Sequence, residues 1–519
     1  MSMHPIAHAA RRPDHPAVIM TGSGKQITYG EMEAESNRFA HLLRAHGINA
    51  GDAFAVLLEN RIEYFTLIWG SQRAGTMLVP ISSRLTAPEV AYIIRDAQAS
   101  LLITSGYFSG VLEDIRKECP GLTVLVMDAK ELGGGPEDFA AALAARPSDP
   151  IPDQSVGLLM LYSSGTTGRP KGIRPAPPED PDPAAPVALL GLATMGMGMP
   201  ADGSMVYLSP APLYHAAPIG WCSVVHRLGG TVVMMEKFDP EEALKAIERY
   251  KVTDSQWVPT HFVRFLKLDP ALRSRYDLSS HQRAIHAAAP CPVPIKREMI
   301  EWWGPIVNEY YAGSEMIGMT LVKSEHWLAK PGTVGVAVHG KVHVCGPEGE
   351  ELGSDQDGLI FFENINLPTY HNDPAKTAEA MHPKGWMTLG DIGHLDNDGF
   401  LFLTDRKSHM IISGGVNIYP QEIEDAILSH PKVADVAVIG APNEDFGEEV
   451  KAVVQLLDMT DAGPDLEAEI IALCRSRMSG YKCPRTVDFT ASLPRQPTGK
   501  LFKRLLKQKY WANAAAPQG

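Results

Sequence analysis

The chain has 519 residues, with 47 Lys+Arg against 61 Asp+Glu and a formal charge of −14, the wrong sign for a protein whose main task is gripping a polyphosphate backbone. At 45% hydrophobic and 21% charged residues the composition is that of a soluble globular protein and excludes a wholly disordered or fibrous one. The length suggests about three domain-sized units, enough to bury large cores without disulfides, and leaves room for a local basic pocket that holds a nucleotide.

From Met1 to Asp14 histidines and arginines occur without an apolar h-region, so no secretory signal is read there. The longest apolar stretch, Val187 to Met199, is interrupted by Gly and Thr and too short to span a bilayer. The six cysteines, Cys119, Cys222, Cys291, Cys345, Cys474 and Cys483, show no C-x-x-C spacing and read as reduced thiols. A cytoplasmic location is expected.

From residue 15 to about 330, short apolar runs alternate with helical ones. Ala53–Leu58, Thr76–Ile81, Leu101–Thr104 and Val124–Met127 read as strands buried on both faces. Thr28 with Glu31 and Thr86 with Glu89 are capping boxes, and Asp239-Pro240-Glu241-Glu242 places an N-cap before a first-turn proline. Such alternation predicts α/β layers with a mainly parallel sheet. A strand is read at Val156–Leu161, and the proline-rich stretch Arg174–Pro186 predicts an extended mobile loop. Past the polar segment Thr404–His409 the pattern changes. Helices are predicted at Pro420–Ser429, Leu466–Met478 and after Gly499, and strands at Val433–Ile439, Val450–Leu457 and Thr486–Phe489, a small α+β unit.

The segment that carries most chemistry is Leu161-Tyr-Ser-Ser-Gly-Thr-Thr-Gly-Arg-Pro-Lys-Gly172, a strand running into a loop of glycines, hydroxyls and cations. Glycines let backbone N–H groups converge on phosphate oxygens, hydroxyls add donors, and Arg169 and Lys171 offset negative charge. No Gly-Lys is followed by Ser or Thr anywhere in the chain, so this is not a Walker A loop, which opposes a P-loop phosphotransferase or motor. Downstream follow His286-Ala-Ala-Ala-Pro290, Tyr311-Ala-Gly-Ser-Glu315, Gly385-Trp-Met-Thr-Leu-Gly-Asp391, Asp405-Arg406, the Ser413–Glu424 string opening on Ser-Gly-Gly, and Pro494-Arg-Gln-Pro-Thr-Gly-Lys500.

In this order the strings resemble the motifs of the adenylate-forming superfamily, which takes in acyl-CoA synthetases, luciferases and peptide-synthetase adenylation domains. The pattern is nearest the acyl- and aryl-CoA ligases. The resemblance implies a large N-terminal multi-sheet α/β domain (1–405) that binds ATP and the acid. A hinge would join it to a small mobile C-terminal α+β domain (406–519) that carries a catalytic lysine. It implies ATP and Mg²⁺ for the first half-reaction, in which two anions, a carboxylate and the α-phosphate, must meet and be screened. Coenzyme A would be the second substrate.

Residue by residue, the resemblance implies that Ser163, Ser164, Gly165, Thr166, Thr167, Gly168 and Lys171 hold the ATP phosphates. Ala288 and Ala289 stand where the family has glycine and would line the adenine slot. Tyr311 would stack on the base, beside Ala312. Ser314 would touch the phosphate and Glu315 would hold Mg²⁺. Asp391 would accept from the ribose hydroxyls, with Arg406 on the hinge side. Lys500 would bridge carboxylate and α-phosphate oxygens, a transition-state electrostatic role. Gly414 and Gly415 would wall a pantetheine tunnel after the small domain rotates, since side-chain-free residues suit such a wall. The hinge position, usually Asp or Lys, is Ser408 here.

Pro212-Leu-Tyr-His215 resembles the segment beside the family's acyl pocket, and His215 is its candidate catalytic histidine. By motif position the pocket would comprise Tyr214, His215, Trp257, His261, Ala287, Gly313, Met316 and Ile317. No Asp stands in Ser209–Ala217 to pair an α-amine, which opposes an amino-acid substrate. The set favours a bulky apolar acid, either fatty or hydroxycinnamic. Differences of one methylene in such pockets are worth only about 1–3 kcal/mol. The expected activity is an AMP-forming acid–CoA ligase acting on small molecules as a monomer or homodimer. One alternative is an enzyme loading a separate carrier protein, and a luciferase-type oxygenase shares every motif. A non-catalytic nucleotide-binding protein is opposed by intact Glu315, Asp391, Arg406 and Lys500.

Overall fold

Apolar runs and capped amphipathic helices dictate the layering. In the computed structural model, which describes residues 3–129, 138–163, 170–406, 409–414, 416–443, 445–495 and 501–515, they stack as alternating sheets and helices. One sheet is wholly parallel, in the order Thr123–Met127, Leu101–Ser105, Ala53–Leu57, Met77–Pro80 and Leu158–Leu159. Its three central strands are buried on both faces, and alternate residues feed different cores. Ala53, Ala55 and Leu57 pack outward with Val90, Ile94 and Ile115. Phe54 and Val56 pack inward against the helices Tyr29–Ala45 and Glu63–Ala74. The predicted capping boxes at Thr28/Glu31 and Thr86/Glu89 both form, and Asp239 caps the helix Pro240–Tyr250.

Among the described residues thirteen strands make the largest sheet. Six of them run parallel: Pro16–Met20, Thr231–Met234, Val206–Ser209, Asp254–Trp257, Arg283–His286 and Val307–Ala312. The sheet continues antiparallel through Met319–Val322 and Thr333–His339 to Leu401–Arg406 and Met387–Leu395. Helices cover both faces, burying Trp221 and Val225 on one side and Phe262, Phe265 and Met299 on the other. A small sheet of Leu161–Ser163, Lys171–Arg174 and Thr369–Tyr370 stands apart.

Beyond Arg406 the chain leaves the large sheet. A further sheet of Ile411–Ser413, Val416–Ile418, Val433–Asn443, Gly447–Leu456 and Thr486–Thr490 packs with the helices Pro420–Leu428 and Pro464–Arg477 around its own core of Ile423, Val436, Val454 and Ile470. Backbone N–H of Gln421 donates to Asp405 Oδ2 at 3.0 Å, and Lys267 Nζ donates to Ala434 O at 3.3 Å, tying this unit to the large sheet.

Two expectations need correction. The strand expected over 156–161 is two strands in two sheets: Leu158–Leu159 pairs parallel with Met77–Pro80, and Leu161–Ser163 pairs antiparallel with Lys171–Arg174. The turnover point is the fully buried Met160, whose side chain the outer core claims. The proline-rich stretch has no regular structure past Arg174, as its prolines require, but it is not loose. The buried Arg227 guanidinium donates to Pro183 O at 2.9 Å and Ala185 O at 3.2 Å, and Val156 N donates to Pro181 O at 2.8 Å. The six cysteines are free thiols, and among the described residues no helix is long and apolar enough to cross a membrane.

Candidate active site

Open parallel sheets bind ligands beyond the carboxyl ends of their strands, where loops from neighbouring strands converge. Four adjacent parallel strands deliver the predicted segments to that edge. Val206–Ser209 leads to His215, Asp254–Trp257 to His261, Arg283–His286 to Ala287–Ala289, and Val307–Ala312 to Ser314 and Glu315.

At this edge the Tyr311 hydroxyl donates to Asp391 Oδ2 at 2.6 Å, and Arg406 Nε lies 3.1 Å from Asp391 Oδ1. Antiparallel pairing of Asp391 with Arg406 puts the two on neighbouring strands in register. The Asp391 carboxylate raises the Arg406 pKa, while burial and then Asp391 push the Tyr311 phenol well above its usual range. Tyr311 is therefore a neutral donor at any working pH. Asp391 is buried with both oxygens engaged, each keeping a further lone pair for a hydroxyl donor. Ala288 takes φ +76°, the left-handed conformation glycine adopts freely and alanine does not, in the stretch where the motif family has glycines.

Ser314 and Glu315 occupy a turn closed by Met316 N donating to Gly313 O at 3.1 Å, with Met316 itself at φ +52°. Glu315 Oε1 accepts from the Tyr370 hydroxyl at 3.1 Å. A Cβ on Gly313 would stand 2.5 Å from Leu389 Cδ2 and 2.8 Å from Glu315 Oε2, so only glycine lets the Glu315 carboxylate lie this close to the backbone. A hard carboxylate oxygen of this kind suits Mg²⁺, which takes one or two protein carboxylates and fills its octahedron with phosphate and water. Glu315 fits that ion.

Tyr370 belongs to the same small sheet as the ends of the phosphate-loop candidate. Ser163 pairs with Lys171, closing the hairpin, and Tyr370 pairs with Ile173. Lys171 is half-buried, and burial, then Lys376, lowers its pKa. Ser164, Gly165, Thr166, Thr167, Gly168 and Arg169 lie outside the described residues. Tyr162 and Asn372 both bond Asp96, at 2.7 and 3.3 Å, fastening this sheet to the end of helix Ala87–Asp96.

His215 is the N-cap residue of helix Ala216–Arg227, with its ring 4.4 Å from that of Tyr214. The loop that presents it hangs on the buried Asn60, whose Oδ1 accepts from Leu213 N at 2.9 Å while its amide donates to Met235 O at 2.9 Å. The predicted acyl-pocket residues do not all converge. Ala287 and Ala312 belong to the core between the sheets, with Trp221 and Tyr310. Trp257 is fully buried on the opposite face, with Nε1 donating to Ser255 Oγ at 2.6 Å and its ring against Phe265 and Trp303. His261 sits on that side too, 3.9 Å from the Phe238 ring; burial lowers its pKa to about 3 and keeps it neutral. Ile317 is buried in a third cluster with Ile173 and Phe362, and Met316 is exposed. Trp257, His261 and Ile317 are thus packing residues. For Trp257 the reason is strand alternation, which turns Gln256 toward Tyr310 and Trp257 the other way.

In the small unit Gly414 has φ +57°, donates its N–H to Phe446 O at 2.9 Å, and leaves no space for a Cβ, which would meet Phe446 Cδ1 at 2.9 Å. A tight turn against an aromatic ring requires glycine here. Gly415, Ser408 and Lys500 lie outside the described residues. The segment holding Lys500 starts and ends on pinned backbone: Arg495 bridges Leu501, and Phe502 N donates to Pro494 O at 2.8 Å.

Sequence reasoning missed Tyr370 and Asn60, whose partners are 55 and 153 residues away. A buried tyrosine in a polar string, Tyr370-His-Asn-Asp-Pro374, is the signal that could have drawn attention to the first.

Comparison with known proteins covers nearly the whole chain. Residues 6–367 match the model of the AMP-binding enzyme family, and residues 422–500 match that of the AMP-binding enzyme C-terminal domain. The chain is 32% identical over 503 residues to the long-chain-fatty-acid–CoA ligase FadD13 of Mycobacterium tuberculosis, covering 96% of each. It is 33% identical over 512 residues to a feruloyl-CoA synthase of Amycolatopsis, covering 96% of this chain and 97% of that one. The ATP-bound crystal structure of MatB from Rhodopseudomonas palustris superposes with a TM-score of 0.81 at 28% identity, over 98% of this chain and 99% of that one.

Proposed function

The chain belongs to the AMP-binding enzyme family, and from that membership we propose that it joins a carboxylic acid to coenzyme A at the expense of ATP. In the first step a carboxylate oxygen attacks the α-phosphorus, the bond to the bridging oxygen breaks, and pyrophosphate leaves. In the second the CoA thiol attacks the acyl carbonyl, AMP leaves with the electron pair of the broken C–O bond, and the thiol proton passes to solvent.

The observation that carries this reading is the convergence, at one sheet edge, of the Tyr311–Asp391–Arg406 cluster and Glu315, with the Ser163–Lys171 hairpin tied to Glu315 through Tyr370. Asp391 accepts from the ribose, Tyr311 flanks the base, and Lys171 offsets phosphate charge. Glu315 would hold Mg²⁺, whose charge would screen the repulsion between the two anions. Lys500 gives its charge to the pentavalent centre, and Gly414 with Gly415 lines the thiol's approach. The small unit, from residue 406 onward, moves between the two steps.

The substrate is a monocarboxylic acid with an apolar body, fatty or hydroxycinnamic. The absence of an Asp in Ser209–Ala217 supports it, as do the names of the two CoA-ligase relatives. The test is a panel of alkanoic and aryl-propenoic acids with ATP and CoA, following pyrophosphate, AMP and thioester together. Equimolar formation of all three with at least one class is expected. Acid-dependent ADP, or thioester only with a carrier protein's phosphopantetheine in place of CoA, would overturn the proposal.

A further inference from the structure

Beneath the loop that opens the adenine slot lies a cluster of ionisable groups withdrawn from water. His286 and Lys296 are 0% exposed and Glu309 is 5% exposed. Lys296 Nζ donates to Glu309 Oε2 at 2.5 Å and stands 4.8 Å from the centre of the Trp327 ring. His286 Nε2 lies 3.5 Å from the same carboxylate oxygen, and neither ring nitrogen has a hydrogen-bond partner. Burial and the nearby Lys296 push the His286 pKa well below its usual value, so the imidazole is neutral. Burial raises the Glu309 pKa, and Lys296 pulls it back. The charge of the cluster is the Lys–Glu pair.

The chain path gives this pair a task. His286 ends the strand Arg283–His286 and is in register with Glu309 on Val307–Ala312. Alternation puts Glu309 on the same face as Tyr311, two residues on. Lys296 sits on the helix Val293–Trp303, which begins where the 287–292 loop ends. Strand pairing at His286 thus fastens one end of that loop to the strand that presents Tyr311, and the Lys296–Glu309 pair fastens the other. Within the loop Ala288 is held at φ +76°, a conformation that persists in a non-glycine residue only when its surroundings over-determine it. A buried ion pair gives little stability that packed apolar side chains would not, but it fixes distance and direction.

We propose that Lys296 and Glu309 are positioning residues for the nucleotide, setting the spacing between the 287–292 loop and Tyr311 and so the width of the adenine slot. The inference rests on the adenylating reading of the site. It is tested with Lys296→Met, Glu309→Gln and the double variant. The measurements are ATP Kd by calorimetry, KM for ATP and for the acid, and Tm. Each single variant should lose Tm and raise both ATP Kd and KM at least tenfold, with acid KM within twofold of wild type. The double variant, left with no uncompensated charge, should recover most of the Tm but not the ATP affinity. If a single variant fails to fold, the double variant alone decides. ATP affinity that tracks Tm through the series, or stays at the wild-type value in folded variants, would overturn the proposal. A wild-type chain that binds ATP yet adenylates no acid would instead sink the reading of the reaction, and calorimetry would still decide the role of the pair.

Discussion

In the large sheet the candidate residues are fixed twice, by the strand that carries them and by a side-chain partner from elsewhere in the chain. Asp391 has Tyr311 and Arg406, Glu315 has Tyr370, and the His215 loop has Asn60. In the small unit Gly414 is held through its backbone, in a turn where its N–H donates to Phe446 O at 2.9 Å, beside a sheet separate from the large one. The difference fits a two-step reaction. Groups that hold the nucleotide through both steps belong on a sheet edge, pre-oriented. A group needed in one step and unwanted in the next belongs on a separate unit. Each prediction below is a way to break that division or sharpen it.

The largest effect is expected from Lys500→Ala. Removing one well-placed transition-state donor typically costs about 10²–10³-fold in rate, or roughly 3–4 kcal/mol. The overall rate should fall by that much, while thioester formation from supplied acyl-adenylate and CoA stays near wild type. Equal loss in both assays would mean that one arrangement serves both steps, and the comparison would fail. Gly415→Leu should show the opposite split, sparing adenylation and impairing thioester formation.

Glu315→Gln should lower adenylation by about two orders of magnitude and weaken its Mg²⁺ dependence, since the carboxylate proposed to hold the metal is lost. Tyr370→Phe should do less, about tenfold, because it removes one hydrogen bond to a charged group and leaves the carboxylate in place. Its signature is a raised Mg²⁺ requirement with little change in the acid KM. If Tyr370→Phe left Mg²⁺ dependence untouched while Glu315→Gln abolished it, the carboxylate would need no second anchor.

Much of this arrangement was legible in the sequence because the motif strings are local. A strand end and the loop after it are consecutive residues, so Ala287–Ala289 and Tyr311–Glu315 could be placed from order alone. The layering followed from apolar runs, and the small unit's helices and strands lie within a few residues of where their periodicity put them. What was not legible depends on pairing at a distance. Tyr370 reaches Glu315 only because Thr369–Tyr370 pairs with the strand that ends the phosphate-loop hairpin. Trp257 and His261 were assigned to a pocket by motif position, which carries no mark of the face a side chain will take.

Acid should separate the two units. Burial lowers the pKa of His4 to about 3, of His226 to about 4 and of His281 to about 3, all in the large unit. His226 illustrates the cause: it is wholly buried, its Nδ1 accepts from Trp69 Nε1 at 3.0 Å, and its Nε2 meets Ala17 O at 3.1 Å. A histidine with a folded pKa below its unfolded value of about 6.5 gives its full stability above that value. The stability is lost as pH falls, because the unfolded state binds the proton first. Each such group costs about 1.4 kcal/mol per pH unit between 6.5 and its folded pKa. Thermal unfolding followed from pH 7.5 to 5 should therefore show the large unit's transition dropping ahead of the small unit's. A single transition moving as one would mean that the two units unfold together.

The smallest effect tests pre-orientation at a single backbone position. Ala288 adopts φ +76° and is exposed, so its methyl group makes little packing contribution while its backbone bears the cost of the left-handed region, about 1–2 kcal/mol for an L-residue. Glycine removes that cost but adds about 0.5–1 kcal/mol of unfolded-state entropy. Ala288→Gly should therefore stabilise the chain slightly, by roughly half to one kcal/mol, seen as a higher denaturant midpoint at unchanged slope. The same change frees the loop that faces Tyr311, so KM for ATP should rise modestly, by about twofold, as stability rises. Stability and affinity moving in opposite directions is the expected mark of a strained position that serves binding. Should both improve together, the alanine contributes nothing to holding the slot, and its orientation rests on the ion pair beneath it alone.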